Sequence, residues 1–116
     1  MNAADKLEQI FSMQHALQGL AADRYDMVVP RSEDRTKQLV LAAIVELAEV
    51  LDETNWKPWK NPSPSKPDRE LICGEIVDVL HFVVNLCIVW EMGSDELLEK
   101  FRAKHAVNMR RQLEGY

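Results

Sequence analysis

The sequence is poor in several things, and each absence narrows the reading. Its 116 residues carry no strand signal of any weight, no internal repeat and no low-complexity tract. A β layer, a solenoid and a disordered linker are thereby set aside, and an all-α fold is expected. Cysteine is scarce: only Cys73 and Cys87 occur. On one predicted helix they would lie ~21 Å apart at 1.5 Å rise per residue, too far for a disulfide. A reduced, cytoplasmic protein is the expectation. Positive charge is in deficit, with 14 basic against 19 acidic residues and a net charge of −5. That argues against general binding to nucleic acid or to anionic membranes. A phosphate-bearing substrate would need a cation between itself and an acidic site. The opening MNAADKLEQIF is too polar for a secretory leader, and none is expected.

What is present is a normal apolar content, 47% hydrophobic residues, enough for a modest core in one domain spanning residues 1–116. The longest apolar stretch runs from Leu71 to Met92. Its internal Glu75, Asp78, His81 and Asn85 make membrane insertion improbable, a central Asp alone costing roughly 2.5–3.5 kcal/mol. On a helix, positions 71, 75, 78, 82, 85 and 89 share a stripe that reads Leu, Glu, Asp, Phe, Asn, Val. Buried carboxylates cost several kcal/mol unless their charge is compensated. His81 points off that stripe, by about 120° at 100° per residue, and reads as structural.

Three more helices are expected. Residues 3–22 form an amphipathic one with Leu7, Ile10, Phe11, Leu17 and Leu20 on its apolar face. Gln14 and Gln18, four apart, share a face, and a pair of solvated amides explains them equally well. Ser32 with Glu33 and Asp34 signals the start of a second helix reaching about Thr54. Its apolar residues go nearly all the way round, as in a central helix. One stripe, positions 39, 42, 46, 49 and 53, reads Leu, Ala, Glu, Glu, Glu. Residues 55–70 form a loop, because Pro58, Pro62, Pro64 and Pro67 forbid a regular element. Trp56 and Trp59 in that loop would, at their simplest, cap the end of a bundle. Ser65 and Pro67 introduce the long helix, with Gly93 as its C′ residue. Ser94, Asp95 and Glu96 start a last helix ending near Leu113. Lys100, Lys104, Asn108 and Arg111 make a mostly basic stripe on it, which taken alone reads as a solvated face. Two helices that are apolar almost all round cannot be covered by two others in so small a domain, so a homo-oligomer is expected.

The carboxylates carry the chemistry. Glu46 and Glu49 lie three apart, as do Glu75 and Asp78, so each pair projects from one helical face. Across a short antiparallel connection the four would converge. Without a cation they would repel, and several would stay protonated. Hard oxygen donors in that number suit Mg²⁺, or Mn²⁺ in its place, far better than zinc. Metal-assisted hydrolysis of a phosphoanhydride follows, the metal orienting the substrate and activating a water. A di-iron bundle normally needs Glu-x-x-His twice, and only Asp78-x-x-His81 comes near. Nucleophilic catalysis has no support, because neither cysteine has an activating partner in the pattern.

Glu-x-x-Glu followed by Glu-x-x-Asp on two helices resembles the all-α NTP pyrophosphohydrolase superfamily, which includes MazG-type enzymes. The series Glu46-Leu-Ala-Glu49, Trp56-Lys-Pro-Trp59-Lys60, Glu75-Ile-Val-Asp78-Val-Leu-His81-Phe82 and Lys104-x3-Asn108-x2-Arg111-Gln112-x2-Gly115-Tyr116 is similar to the all-α enzymes usually called dimeric dUTPases. The likeness covers nearly the whole chain, including Gln14. It implies hydrolysis of dUTP to dUMP and pyrophosphate, with Mg²⁺ on Glu46, Glu49, Glu75 and Asp78. It also implies a glutamate of the first pair as base, for which Glu46 is the choice here. Lys104, Asn108, Arg111 and Tyr116 match positions that grip phosphates or nucleotide. Gln14, Trp56 and Phe82 match positions around the base and sugar, and Gln18 and Lys57 are further substrate-binding candidates. The chain departs from the family pattern in two ways. Met92-Gly93-Ser94 joins two helices between which relatives carry a long helical insertion, so a second subunit would cover the site, in a dimer or a tetramer. Gln18 and His105 stand where Asn is common, near the nucleotide pocket, and a broader MazG-like dNTP pyrophosphohydrolase such as a dCTPase is the alternative reading.

Overall fold

A computed structural model of the chain describes residues 5–25, 32–57, 59–60 and 67–115, with side chains at 22–25 and 32 left aside. Four helices account for the order of the chain: α1 Lys6–Tyr25, α2 Ser32–Asp52, α3 Arg69–Val89 and α4 Ser94–Glu114. No strand occurs among the described residues, so the all-α expectation stands.

The helix starts have identifiable donors and acceptors. Asp5 caps α1, its Oδ1 accepting from the Glu8 amide at 2.9 Å. Asp68 caps α3 by accepting from the amides of Glu70 and Leu71 at 2.9 and 3.3 Å. Such a cap satisfies amides that have no intrahelical partner and is worth about 1 kcal/mol. Glu70 then sits in the first turn, where the helix dipole favours an acid. The cap is therefore Asp68 rather than Ser65, which lies outside the described residues. At α4 the cap position is taken by Gly93 and not by Ser94; Gly93 makes no side-chain cap bond, and its carbonyl accepts from the Leu97 amide at 3.0 Å.

The end of α3 differs from the sequence expectation in an informative way. Gly93 is not the C′ residue, for the left-handed position falls on Glu91, with φ of 56°. The Met92 amide donates to the Cys87 carbonyl at 2.8 Å, and the Glu91 amide to the Ile88 carbonyl at 3.0 Å. This pair of bonds is the Schellman motif, in which the residue after the left-handed one folds back onto the helix. Met92 does so, packing on the cluster formed by Phe11, Val84 and Cys87. The apolar contact of Met92 thus decides where the helix turns, and Glu91 takes a conformation that glycine would adopt without strain.

That cluster is the only compact core in the described chain. Phe11, Val84 and Cys87 are buried, with Leu7, Ile88, Met92 and Leu97 packed around them, and Leu39 is buried separately. It joins α1 to α3 and to the first turn of α4. The α2 helix lies along α3, which makes the largest helix–helix contact in the chain, while α4 touches mainly α1. The Trp90 indole N–H donates to Thr36 Oγ1 at 2.8 Å and ties the end of α3 to the first turn of α2. The pair is therefore antiparallel. The apolar residues that go round α2 stay exposed in the single chain: Leu41, Ile44, Val45, Leu47 and Leu51 among them.

Candidate metal centre and nucleotide site

Antiparallel pairing sets the last turns of α2 beside the first turns of α3, the end at which the Trp56–Trp59 segment leaves α2. Side chains three or four apart on a helix share a face, so each helix contributes two carboxylates to the seam. Glu46, Glu75 and Asp78 each bring a carboxylate oxygen within 4.8 Å of the others. Glu49 lies within hydrogen-bonding reach of Glu75 and of Glu46.

The electrostatics are those of negative charge held together. The Glu75 carboxyl is pushed up to about 7, first by its hydrogen bond to Glu49, then by desolvation and by the charges of Glu49, Glu46 and Asp78. Glu46 is also raised, by desolvation first and by Glu49 next. Each shift says that the anion lacks a compensating positive group. Among the described residues, Glu75 Oε2 is a buried oxygen with no hydrogen-bond partner. Buried acceptors are almost always satisfied, so an orphan inside a carboxylate cluster calls for an absent donor or cation. Hard oxygen atoms from three or four carboxylates fit a divalent ion such as Mg²⁺ or Mn²⁺.

The residues matched to the base and sugar fall into two groups. Gln14 is 3% exposed, although it is polar. Its Oε1 accepts from His81 Nδ1 at 2.6 Å. Gln18, one turn on, accepts at Oε1 from Arg35 Nη2 at 3.4 Å, and Arg35 Nη1 donates to Gln38 at 3.1 Å. Neither glutamine is a merely solvated amide. Phe82 is half-buried, one turn beyond Asp78 on α3. The Trp56 and Trp59 rings meet edge to face at 6.4 Å, and Lys57 Nζ stands 4.5 Å from the centre of the Trp56 ring. Lys57 is thus engaged with an aromatic face (a cation–π contact) rather than with the carboxylates.

Among the described residues, those matched to phosphate binding sit on α4, which packs mainly against α1 rather than along the carboxylate seam. Lys104, Asn108 and Arg111 line a shallow concavity on α4 with Ala103 and Val107, and all three are exposed. Tyr116 lies outside the described residues. Periodicity missed two partners, His81 and Arg35. His81 lies beside the carboxylate stripe on the face where α1 crosses, and Arg35 bridges α2 to α1. The spacing of Gln14 and Gln18 was the available signal, because two amides on one buried face require donors.

A family model described as dUTPase matches residues 6–96 of the chain, which includes both carboxylate pairs, the tryptophan segment, Gln14, Gln18 and Phe82. No curated protein and no solved structure matches it.

Proposed function

The chain belongs to the dimeric, all-α dUTPase family, and from that premise we propose that it is a Mg²⁺-dependent dUTP diphosphatase releasing dUMP and pyrophosphate. Membership establishes the coarser statement, a dUTPase-like nucleotide pyrophosphohydrolase. The observation that carries the finer one is the convergence of Glu46, Glu75 and Asp78 around the unpartnered Glu75 Oε2.

In this reading Glu46, Glu49, Glu75 and Asp78 hold the ion. When bound, Mg²⁺ supplies charge neutralisation, substrate orientation and acidification of a water. Glu46 accepts the proton of the attacking water. Lys104, Asn108, Arg111 and Tyr116 bind the phosphates. Gln14, Gln18, Trp56, Lys57 and Phe82 enclose the base and deoxyribose.

The working form is a homo-oligomer, a dimer or a tetramer, of a cytoplasmic protein. The chain exposes 9683 Å², against about 6,500 Å² for a folded monomer of this mass. Its radius of gyration is 18.0 Å, where a compact domain of this length has about 13 Å. The exposed apolar residues of α2 form an open groove lined by Ile44, Leu47, Ala48, Val50 and Leu51, and a second copy of the chain is the occupant that would also cover the site. By length and composition α3 could cross a membrane, but the carboxylates on its seam with α2 favour a place in a protein assembly.

Phosphorus NMR of dUTP turnover tests the reaction. With Mg²⁺ the products should be dUMP and pyrophosphate, turnover should stop in EDTA, and Glu46→Gln should lower kcat by about a hundred-fold or more. Release of orthophosphate, or undiminished turnover in EDTA, would overturn the proposal.

A further inference from the structure

We propose that α4 of one chain serves the carboxylate seam of a second copy, so that each site is assembled from the acids of one subunit and the bases of another. This deepens the hydrolase reading above and rests on it for the role of the seam. Leu97, Phe101, Lys104, Asn108 and Arg111 recur at helical spacing and share one face of α4. That face starts inside the chain, for Leu97 packs on the cluster of Phe11, Val84 and Cys87. One turn on, Phe101 is 68% exposed, and Lys104, Asn108 and Arg111 are exposed after it. Over its 21 residues α4 has no buried residue. About three turns of helix thus leave the fold with their core-facing side uncovered. Helices in proteins draw most of their stability from packing, so this face needs a partner.

Charge identifies that partner. Residues 100–113 hold Lys100, Arg102, Lys104, Arg110 and Arg111 and no Asp or Glu, in a chain of net charge −5. Among the described residues, none of these bases forms an ion pair, and no base is paired with Glu46, Glu49, Glu75 or Asp78. The acids converge at the seam, while α4 of the same chain packs mainly against α1. A second copy brings the two surfaces together, and the apolar residues agree with the charges. Leu41 and Val45 of α2 are exposed and continue the stripe of Glu49 at spacings of four. Each face therefore reads apolar first and charged after: Phe101, then Lys104 and Arg111; Leu41 and Val45, then Glu49. Laid side by side in the same direction, apolar meets apolar and base meets acid. The uncovered surface is large enough. The chain's 9683 Å² exceeds the surface of an ordinary monomer of this mass by about 3,000 Å², several times the ~800 Å² per partner of a standard interface.

The test is complementation between two defective variants. Glu75→Gln damages the acids, and the double variant Lys104→Ala, Arg111→Ala removes exposed bases. The two are co-expressed with different tags, the species carrying both tags is isolated, and kcat/KM for dUTP with Mg²⁺ is measured. Each variant alone should fall about a hundred-fold. The mixed oligomer should recover about a quarter to a half of the wild-type value, because sites that join the double variant's acids to the other chain's bases are intact. If acids and bases came from one chain, every site would carry a defect and the mixture would stay as low as its parts; that result overturns the inference. So does failure to isolate a species with both tags. A second readout does not depend on activity. Carbodiimide joins a lysine to a carboxylate it touches, so oligomers reassembled from equal parts of nitrogen-15-labelled and unlabelled wild type should yield mixed-isotope peptides linking Lys104 to Glu46, Glu49, Glu75 or Asp78. Links within one isotope only, or none between α4 and the seam, would refute the placement. Mixed-isotope links in a wild type that cleaves no dNTP would instead overturn the hydrolase reading and leave the placement of α4 standing.

Discussion

Glu75→Gln should make the metal-free protein more stable and the metal-bound protein weaker, and the two effects have one cause. In the folded chain the Glu75 carboxyl keeps its proton up to about pH 7, against an ordinary value of 4.5. Its acid form is therefore favoured by folding. This contribution to the stability of the metal-free chain is full below about pH 4.5 and is lost as the pH rises through 7. A divalent ion reverses the preference, because it needs the carboxylate and must displace the proton. For a carboxyl titrating near 7, the ionised fraction rises about ten-fold between pH 6 and pH 8, so Mg²⁺ affinity should rise about ten-fold over the same interval. Near pH 6 close to one proton should leave per ion bound, with more if the raised Glu46 also releases one. Titration calorimetry in buffers of different ionisation enthalpy counts those protons. In Glu75→Gln the Glu75 proton should vanish from the count. Affinity should fall by at least the roughly 10–100-fold that loss of an outer-sphere partner alone costs, and the metal-free melting temperature at pH 8 should rise. Affinity that is flat from pH 6 to 8 in the wild type, or a metal-free melting temperature lowered by the substitution, would refute the reasoning.

Three further outcomes follow from the packing and the site. Phe11→Ala removes the only buried aromatic of the cluster that docks α1 on α3, and urea unfolding should show a loss of about 3–5 kcal/mol; a loss under about 1 kcal/mol would mean that α1 is not docked this way in solution. Glu91→Gly relieves the left-handed backbone at φ 56° and should stabilise the chain by about 1 kcal/mol in the same assay, whereas destabilisation would contradict the Schellman geometry. Arg111→Ala should raise KM for dUTP about ten-fold with a smaller effect on kcat, and unchanged steady-state kinetics would remove α4 from the phosphate site.

Much of this was legible from residues alone, for physical reasons that differ from element to element. The four helices follow from apolar periodicity interrupted by Pro30, the proline-rich loop and Gly93. The carboxylate seam follows from two i, i+3 pairs, because the helical repeat alone puts each pair on one face. The end of α3 was not legible: a glycine two residues past Glu91 looks like the natural stop, while the turn is set by Met92 folding back onto the cluster that α3 forms with Phe11 of α1. Asp68 and Ser65 both suit a cap by residue type, and only the bonds from the amides of Glu70 and Leu71 single out Asp68. His81 shows the limit most clearly. Its angle from the carboxylate stripe was readable, but the neighbour on its own face belongs to α1, 67 positions away in sequence. The all-round apolarity of α2 was equally plain, yet its burial depends on a surface the single chain does not provide. The roles given to Lys104, Asn108, Arg111 and Tyr116 came from family likeness, and nothing in the spacing of a basic stripe would have supplied them.

The central claim is that the carboxylate seam serves the hydrolysis of dUTP. A panel of dUTP, dCTP, dTTP, dATP and dGTP, each with Mg²⁺ and with pyrophosphate as the readout, tests it most directly. Efficient cleavage of dUTP, with the other four slower by two orders of magnitude or more, is the result expected of a dUTP diphosphatase. Cleavage of dCTP or dTTP at rates like that of dUTP would contradict it and would mark the chain as a broader dNTP pyrophosphohydrolase.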